Sequence, residues 1–247
     1  MLFVTYYDRH STEIKMNKQQ SGFTLVEIAI VLVIIGLLLG GVLKGQELIN
    51  SAKVKNFATD FRNIPLFIYG YQDKYKAIPG DDSAVATTHL GAAVGGVNVI
   101  AATTPAATLG NGALNGAWNS TTVTDETVLF WQHVRLAGLA AGPTTAPAAA
   151  ADVPAFLPRN AEGGILGITS GTNTPVTGLT GSYIVCSTNI LGKFAKQLDL
   201  TMDDGNPATG SVRVIANQTT NQAAAEAAIA TIPLVLDDTT YTVCMAM

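Results

Sequence analysis

The sequence predicts an α+β fold in which one long N-terminal helix, membrane-spanning in its first half, packs on a small antiparallel β-sheet domain with inserted short helices. Three observations predict it. Phe23 to Leu43 is a 21-residue apolar run in which Glu27 is the only charge. The run continues from Lys44 to Lys76 with apolar residues at helical spacing. The C-terminal part then holds short β-rich segments separated by turn residues.

The apolar run is long enough to cross a bilayer, since about 20 residues at a rise of about 1.5 Å each span the hydrocarbon. Glu27 is its anomaly. An ionised carboxylate there costs about 2.5–3.5 kcal/mol, so a membrane helix keeps one only where a partner or a task compensates. A cut after Gly22 would place a new α-amino group on Phe23, one helical turn from Glu27, and a neighbouring copy could offer the same group. Lys15 and Lys18 precede the run, so the positive-inside tendency keeps the leader cytoplasmic and sends the chain after Leu43 outward. A secretory signal peptide fits poorly, because its apolar region is about 7–15 residues long and ends in an Ala-x-Ala-like site.

Gly22-Phe23-Thr24-Leu25-Val26-Glu27 followed by an apolar run resembles the processing site of type IV pilins and of the pseudopilins of type II secretion. The resemblance is specific from Gly22 to roughly Val54 and diffuse beyond. It implies a type IV pilin-like fold, cleavage after Gly22 by a prepilin peptidase of the inner membrane, and N-methylation of Phe23. It also implies a role for Glu27 in registering subunits in a filament. The alternative is an ordinary signal anchor with a chance glutamate. Residues 1–22 read as the leader, with Met16 rather than Met1 a credible true start, since Met16 to Gly22 alone makes a short basic leader. Many pilins carry a proline at the position of Lys44; here Gly36, Gly40, Gly41 and Gly45 are the flexible elements, so any helix melting during assembly falls on them.

Residues 23–43 are thus the expected transmembrane and filament-core helix, 44–78 its continuation on the globular part, and 79–247 an exported domain. In the continuation, Leu48, Ala52, Phe57, Phe61, Ile64, Ile68, Tyr71 and Tyr75 form the expected apolar stripe. Pro65 and Gly70 are expected to bend or loosen it, and Ile78-Pro79-Gly80 to end it. The aromatics from Phe57 to Tyr75, with Phe67 and Tyr69, read as domain core rather than as a conduction path. Residues 83–121 read as a surface elaboration with a strand near Val97 to Ile100. Thr124 is the expected cap of a second helix over Asp125 to Leu139, and 143–154 reads as a flexible connection. Strands are expected at Ser182–Ser187, Ser211–Ile215 and Tyr241–Ala246, with Asn189 capping a helix to about Leu198. A tight turn is expected at Asp203–Pro207, and the Ala-rich Asn221–Thr231 is a candidate helix.

The chain has two cysteines, Cys186 and Cys244. Both lie in expected strands of the exported domain, and an oxidising compartment allows them one intramolecular pairing; two free buried thiols are the alternative. A C-terminal disulfide is also common among pilins. Catalytic chemistry is sparse. His10 lies in the leader, His89 in a turn-rich segment, and His133 on the second helix beside Arg135, where a solvated or hydrogen-bonded role is expected. The sequence holds no HExxH, phosphate loop or nucleophile elbow. Asp203 and Asp204 could offer oxygens to calcium, but their spacing is not that of an EF-hand and a plain Asx turn is the favoured reading, so no cofactor or metal is expected.

Net charge is −4, and −5 without residues 1–22, which argues against a broad nucleic-acid surface; a local patch at Lys193 and Lys196 is the exception to test. The favoured function is therefore non-enzymatic. The resemblance implies a filament subunit whose partners are identical copies, the prepilin peptidase and an inner-membrane assembly platform. Its expected location is the bacterial inner membrane as precursor, with the globular domain periplasmic, and then the extracellular pilus. The alternatives are a type II secretion pseudopilin and a minor pilin acting in adhesion or DNA uptake.

Overall fold

Helix α1 runs from Leu25 to Tyr75 and opens the architecture of the computed structural model, which describes residues 22–90, 102–106, 109–222 and 224–247. The expected leader, with Met16 and His10, and the expected strand near Val97 to Ile100 lie outside the described residues. The chain divides into two units, one ending at Glu47 and one from Leu48 to Met247.

In the second unit α1 buries Val54, Phe57, Ala58, Phe61, Ile64, Ile68 and Tyr71, a stripe at spacings of three and four. Leu48 and Ala52, expected on it, are exposed, and Tyr75 is half-buried. Phe67 is half-buried and Tyr69 exposed, so the aromatic series is only partly core. The helix passes unbroken through Pro65 and Gly70, contrary to the expected loosening. Pro65 removes one backbone donor, but Phe61, Ile64, Ile68 and Tyr71 are locked in the core on either side of it. The helix stops where Lys76 turns left-handed, at φ 55°, and its N–H bonds back to the Gln72 carbonyl at 2.9 Å.

Among the described residues four antiparallel strands form one sheet in the order β1-β2-β4-β3: β1 Leu166–Ser170, β2 Tyr183–Leu191, β3 Val212–Ala216 and β4 Thr240–Ala246. Consecutive residues Ile184 to Thr188 of β2 are all buried, so this central strand is covered on both faces. β1 is a strand that the expected elements did not include. Gly167 is needed there: a Cβ would lie 1.9 Å from the Trp118 carbonyl oxygen, so only glycine lets the 114–118 loop close on the strand.

Among the described residues three shorter α-helices are inserted: α2 Glu126–Leu136, α3 Val153–Phe156 and α4 Gly192–Met202. α2 is shorter than expected. Gly138 takes φ 78°, and Gly138 N–H and Leu139 N–H return to the Arg135 and Val134 carbonyls, a double closure that ends the helix three residues early. Asp125, not Thr124, is its N-cap residue, and the Asp125 carboxylate accepts the Ser120 hydroxyl instead of capping the helix. The expected flexible connection is ordered by the turn Ala150–Asp152 and by α3, whose Val153 and Phe156 are buried. Asn189 is no helix cap. It lies inside β2 at φ 57°, where the pairing with β4 shifts register; its backbone N–H donates to Asn217 Oδ1 and its own Oδ1 accepts from Asn217 Nδ2. Among its described residues the Ala-rich segment is irregular rather than helical, bridging Glu226 to Val176 and tied through Gln222 to Asn119, Trp118 and Pro175.

Cys186 and Cys244 face each other across β2 and β4 and are bonded, with Cα atoms 4.0 Å apart and a sequence separation of 58. Both are fully buried. Closing a loop of this size is worth about 4 kcal/mol in the chain-entropy account. Replacing both cysteines with alanine should lower the urea midpoint by an equivalent of about 3–4 kcal/mol, and non-reducing peptide mapping of the native chain should recover the joined peptides.

Candidate functional site

Thr24 and Glu27 build the start of α1 between them. The Thr24 N–H and hydroxyl both donate to Glu27 Oε2 at 2.9 Å, and the Glu27 N–H donates back to the Thr24 hydroxyl at 3.3 Å. This is a reciprocal capping box, which satisfies two of the backbone donors a helix start leaves orphaned. Thr-x-x-Glu before an apolar run is its sequence signal, present here and overlooked beside the charge argument. The cap accounts for a helix beginning at Leu25 rather than Phe23. It uses Oε2 alone; Oε1 takes no hydrogen bond among the described residues.

Gly22 and Phe23 lie just before the cap, in extended exposed chain, with Phe23 83 % exposed. From Leu25 to Leu43 every side chain is exposed, and the most apolar stretch of α1 has a mean hydropathy of 2.8 with none of its residues covered. The helix is therefore long and apolar enough to cross a membrane. Gly36, Gly40, Gly41 and Gly45 have nothing near them. Lys44, at the usual proline position, pairs with Glu47 at 2.7 Å on the exposed surface, a contact worth about 0.3–0.5 kcal/mol.

Residues 17–43 match a family model for the prokaryotic N-terminal methylation motif. The chain carries the type IV pilin and pseudopilin signature. No curated protein and no solved structure matches the chain. The signature spans the leader end, the Gly22-Phe23 junction, the capping box and the apolar run, on a helix long and apolar enough to cross a membrane.

The other candidate residues fall elsewhere, in the second unit. His133, expected in a solvated or hydrogen-bonded surface role, is hydrogen-bonded but fully buried: its Nδ1 accepts the Gly80 N–H at 2.9 Å and its Nε2 lies 3.1 Å from the Thr103 carbonyl, so Nε2 carries the proton. Burial pushes its pKa down to about 4, against the opposing pull of the Thr103 carbonyl and Asp82. His89 sits at the end of a π-turn, Val85–His89, with Nδ1 2.6 Å from Asp82 Oδ2, the oxygen that also accepts the Tyr71 hydroxyl at 2.8 Å. These bonds tie the end of α1 to the segment that follows it. Lys196 pairs with Asp237, and Lys193 lies over the Phe194 ring, so the suspected basic patch is engaged within its own domain.

Asp203 closes α4, its Oδ2 accepting the Val212 N–H at 2.8 Å, and Asp204 accepts the Asn206 N–H at 2.8 Å and the Thr209 hydroxyl at 2.5 Å. The sequence reading missed Asp199. It lies one turn before Asp203, a spacing that puts both on one helix face. Burial, with the charges of Asp204 and Asp203, pushes its pKa up to about 7, and the Gly205 N–H pulls the other way.

The depressed His133 pKa predicts a pH effect. A group held below its ordinary value of 6.5 stabilises the fold above that pH, and the contribution is lost as pH falls toward 4. The stability advantage of the native chain over His133→Phe should therefore shrink by about 2–3 kcal/mol between pH 7 and pH 4. Urea unfolding of both, followed by tryptophan fluorescence, reads it directly.

Proposed function

We propose that the chain is the structural subunit of a type IV pilus-like extracellular filament. In this reading a prepilin peptidase cuts after Gly22, the new Phe23 amine is methylated, and identical copies polymerise through the helix from Phe23 to Leu43. The observation that carries it is the methylation motif over 17–43 on an apolar helix whose residues from Leu25 to Leu43 have no cover. Such a surface is tolerated only in lipid or against other chains. Before assembly the helix sits in the inner membrane, with Lys15 and Lys18 holding the leader in the cytoplasm and the globular domain in the periplasm. An assembly platform then passes the helix from lipid to neighbouring subunits.

Glu27 has two tasks that do not compete. Its Oε2 caps its own helix, while its Oε1 remains for a Phe23 amine, its own or a neighbour's, whose charge offsets the cost of a carboxylate in hydrocarbon. The signature is shared by pseudopilins of type II secretion and by minor pilins in adhesion or DNA uptake. The net charge of −5 without the leader and the engaged Lys193 and Lys196 favour the structural role over nucleic-acid binding. Long surface filaments with this chain as their bulk component support the pilin reading; recovery only in short periplasmic fibres assigns the chain to a secretion machine.

Mass spectrometry of filaments sheared from cells should find a chain beginning at Phe23 and methylated on its amino group; an intact Met1 or Met16 terminus in assembled fibres ends the reading.

Substitution at Glu27 separates its two tasks. Glu27→Ala loses cap and charge, whereas Glu27→Gln keeps a capping-box residue and loses only the charge. Both should insert and be cut as well as the native chain, and both should enter filaments poorly. Normal filament yield from Glu27→Gln alone would reduce Glu27 to a helix cap.

A further inference from the structure

We propose that Asn111 is a self-modification site, converted by the chain itself to aspartate and isoaspartate with Asp81 as the base. The Gly112 backbone nitrogen bonds to Asn111 Cγ as Asp81 takes its proton. The Cγ–Nδ2 bond breaks, and Nδ2 leaves as ammonia with a proton in place of the one removed. Water then opens the resulting succinimide ring at either carbonyl, so an amide and one water become a carboxylic acid and ammonia, in a chain linked through the α- or the β-carbon.

The loop at 110–113 supplies what each step needs. The Gly112 N–H donates to Asp81 Oδ2 at 2.7 Å, which puts a carboxylate at the proton to be removed. The Ala113 N–H donates to Asn111 Oδ1 at 2.8 Å. That bond closes an Asx turn, folding the side-chain amide back toward the Gly112 peptide, and it aims a donor at the oxygen on which negative charge develops. Gly112, at φ 82°, has nothing within 4 Å of where a Cβ would lie, so ring closure meets no neighbour. Asn111 and Gly112 are exposed, which gives water access to the leaving group and to the ring. Asp81 is 3 % exposed and its Oδ1 accepts the Gly110 and Asn111 N–H groups at 2.6 and 3.3 Å, so the base is held in place and keeps Oδ2 for Gly112.

A second Asn-Gly pair, Asn115-Gly116, has the same local chemistry in opposite surroundings. The Asn115 leaving group is held, since Nδ2 donates to Glu126 Oε2 at 3.0 Å and the Asn115 N–H donates to the same oxygen at 2.7 Å. A Cβ at Gly116 would come within 2.8 Å of Asp125 Oδ2 and 2.9 Å of Thr127 Oγ1, and the Gly116 carbonyl accepts the Thr169 hydroxyl and the Asn173 amide. Among the described residues no carboxylate takes the Gly116 N–H. The fold thus frees one pair to react and clamps the other. Conversion at Asn111 sets a new carboxylate near Asp81, whose bonds to residues 110–112 join that loop to the chain leaving α1. Each modified copy carries one more negative charge and a weaker junction there.

The test ages the purified full chain in detergent, folded and in denaturing urea, and follows both Asn-Gly peptides by mass spectrometry, with isoaspartyl methyltransferase labelling to read the β-linked product. In urea the two sites should convert within about twofold of each other, whereas in the folded chain Asn111 should lead Asn115 by about tenfold or more. The supply of a positioned carboxylate does not follow hydroxide. The folded rate at Asn111 should therefore change by less than about threefold between about pH 6 and pH 8, while the rate in urea rises by about tenfold or more. At about pH 6 Asn111 should convert faster folded than unfolded. Asp81→Asn should give folded Asn111 the steep pH dependence seen in urea. A native Asn111 rate that climbs with pH as steeply as in urea, or stays below the urea rate throughout, overturns the site, and this profile decides alone if the variant does not fold. Equal conversion of Asn111 and Asn115 in the folded chain, or a profile for Asp81→Asn as flat as the native one, overturns it equally.

Discussion

The globular domain depends on one face of one helix. Val54, Phe57, Phe61, Ile64, Ile68 and Tyr71 of α1 are all at most 3 % exposed, and each large side chain so buried is worth about 1.5–3 kcal/mol. That stripe explains features which look unrelated. Pro65 sits in mid-helix without breaking it because the packing on both sides offsets a lost backbone bond. Phe57 meets Phe194 of α4 with ring centroids 6.1 Å apart, which positions the helix leading into the carboxylate cluster. Tyr71 reaches the buried Asp82 and so fixes where the chain goes after α1 ends. Lys53, on the flank of the stripe, pairs with Glu162 at 2.6 Å and ties the loop before β1 to the same helix.

The first half of α1 obeys a different solvent. The sequence from Leu25 to Leu43 is more apolar than the buried stripe, yet all of it is exposed. In water this would be an aggregation surface; in a bilayer it is matched, and so it is among copies of itself. The cap at Thr24 and Glu27 matters more here than at a soluble helix start, because unsatisfied backbone donors at the edge of hydrocarbon have little water to turn to. A carboxylate that closes the helix by one oxygen and keeps the other is compatible with both membrane residence and a later partner.

What was legible in the sequence was local. The apolar run, the junction at Gly22 and Phe23, the core positions Phe57 to Tyr71, and the strands carrying Cys186 and Cys244 all follow from neighbours in the chain. What was not legible depends on distant partners. β1 hides because Gly167 exists for the Trp118 carbonyl and not for its own strand. Asn189 looks like a cap until Asn217 is seen to hold it in a bulge. Residues 221–231 have the composition of a helix, but Gln222 is taken by Asn119 and Trp118 and Glu226 by the backbone of Pro175 and Thr177. His133 looks exposed beside Arg135, yet both are buried, Arg135 donating to the Pro143 and Phe156 carbonyls. At the candidate site the capping box is readable from Thr24 and Glu27 alone, whereas the burial of Asp199 depends on packing that its chain neighbours do not reveal.

The low charge of the chain also finds a structural reason. Much of the domain between its regular elements is long connection, and these connections are held by side chains that satisfy backbone groups. Asp81 accepts the N–H groups of Gly110, Asn111 and Gly112. Asn160 accepts from Glu162 and Gly164 and donates to Ser187 and the Thr188 carbonyl, binding the loop before β1 to β2. Gln222 spans two loops in the same way. Amides serve this purpose better than ammonium or guanidinium groups because they both donate and accept, and they need no counter-charge when buried. A surface built from Ala, Thr, Gly, Asn and Gln over such ordered loops carries few charges to desolvate when copies of the domain come together. In the proposed filament it would therefore lower the cost of close packing side by side without supplying the attraction, which would be left to the apolar helix.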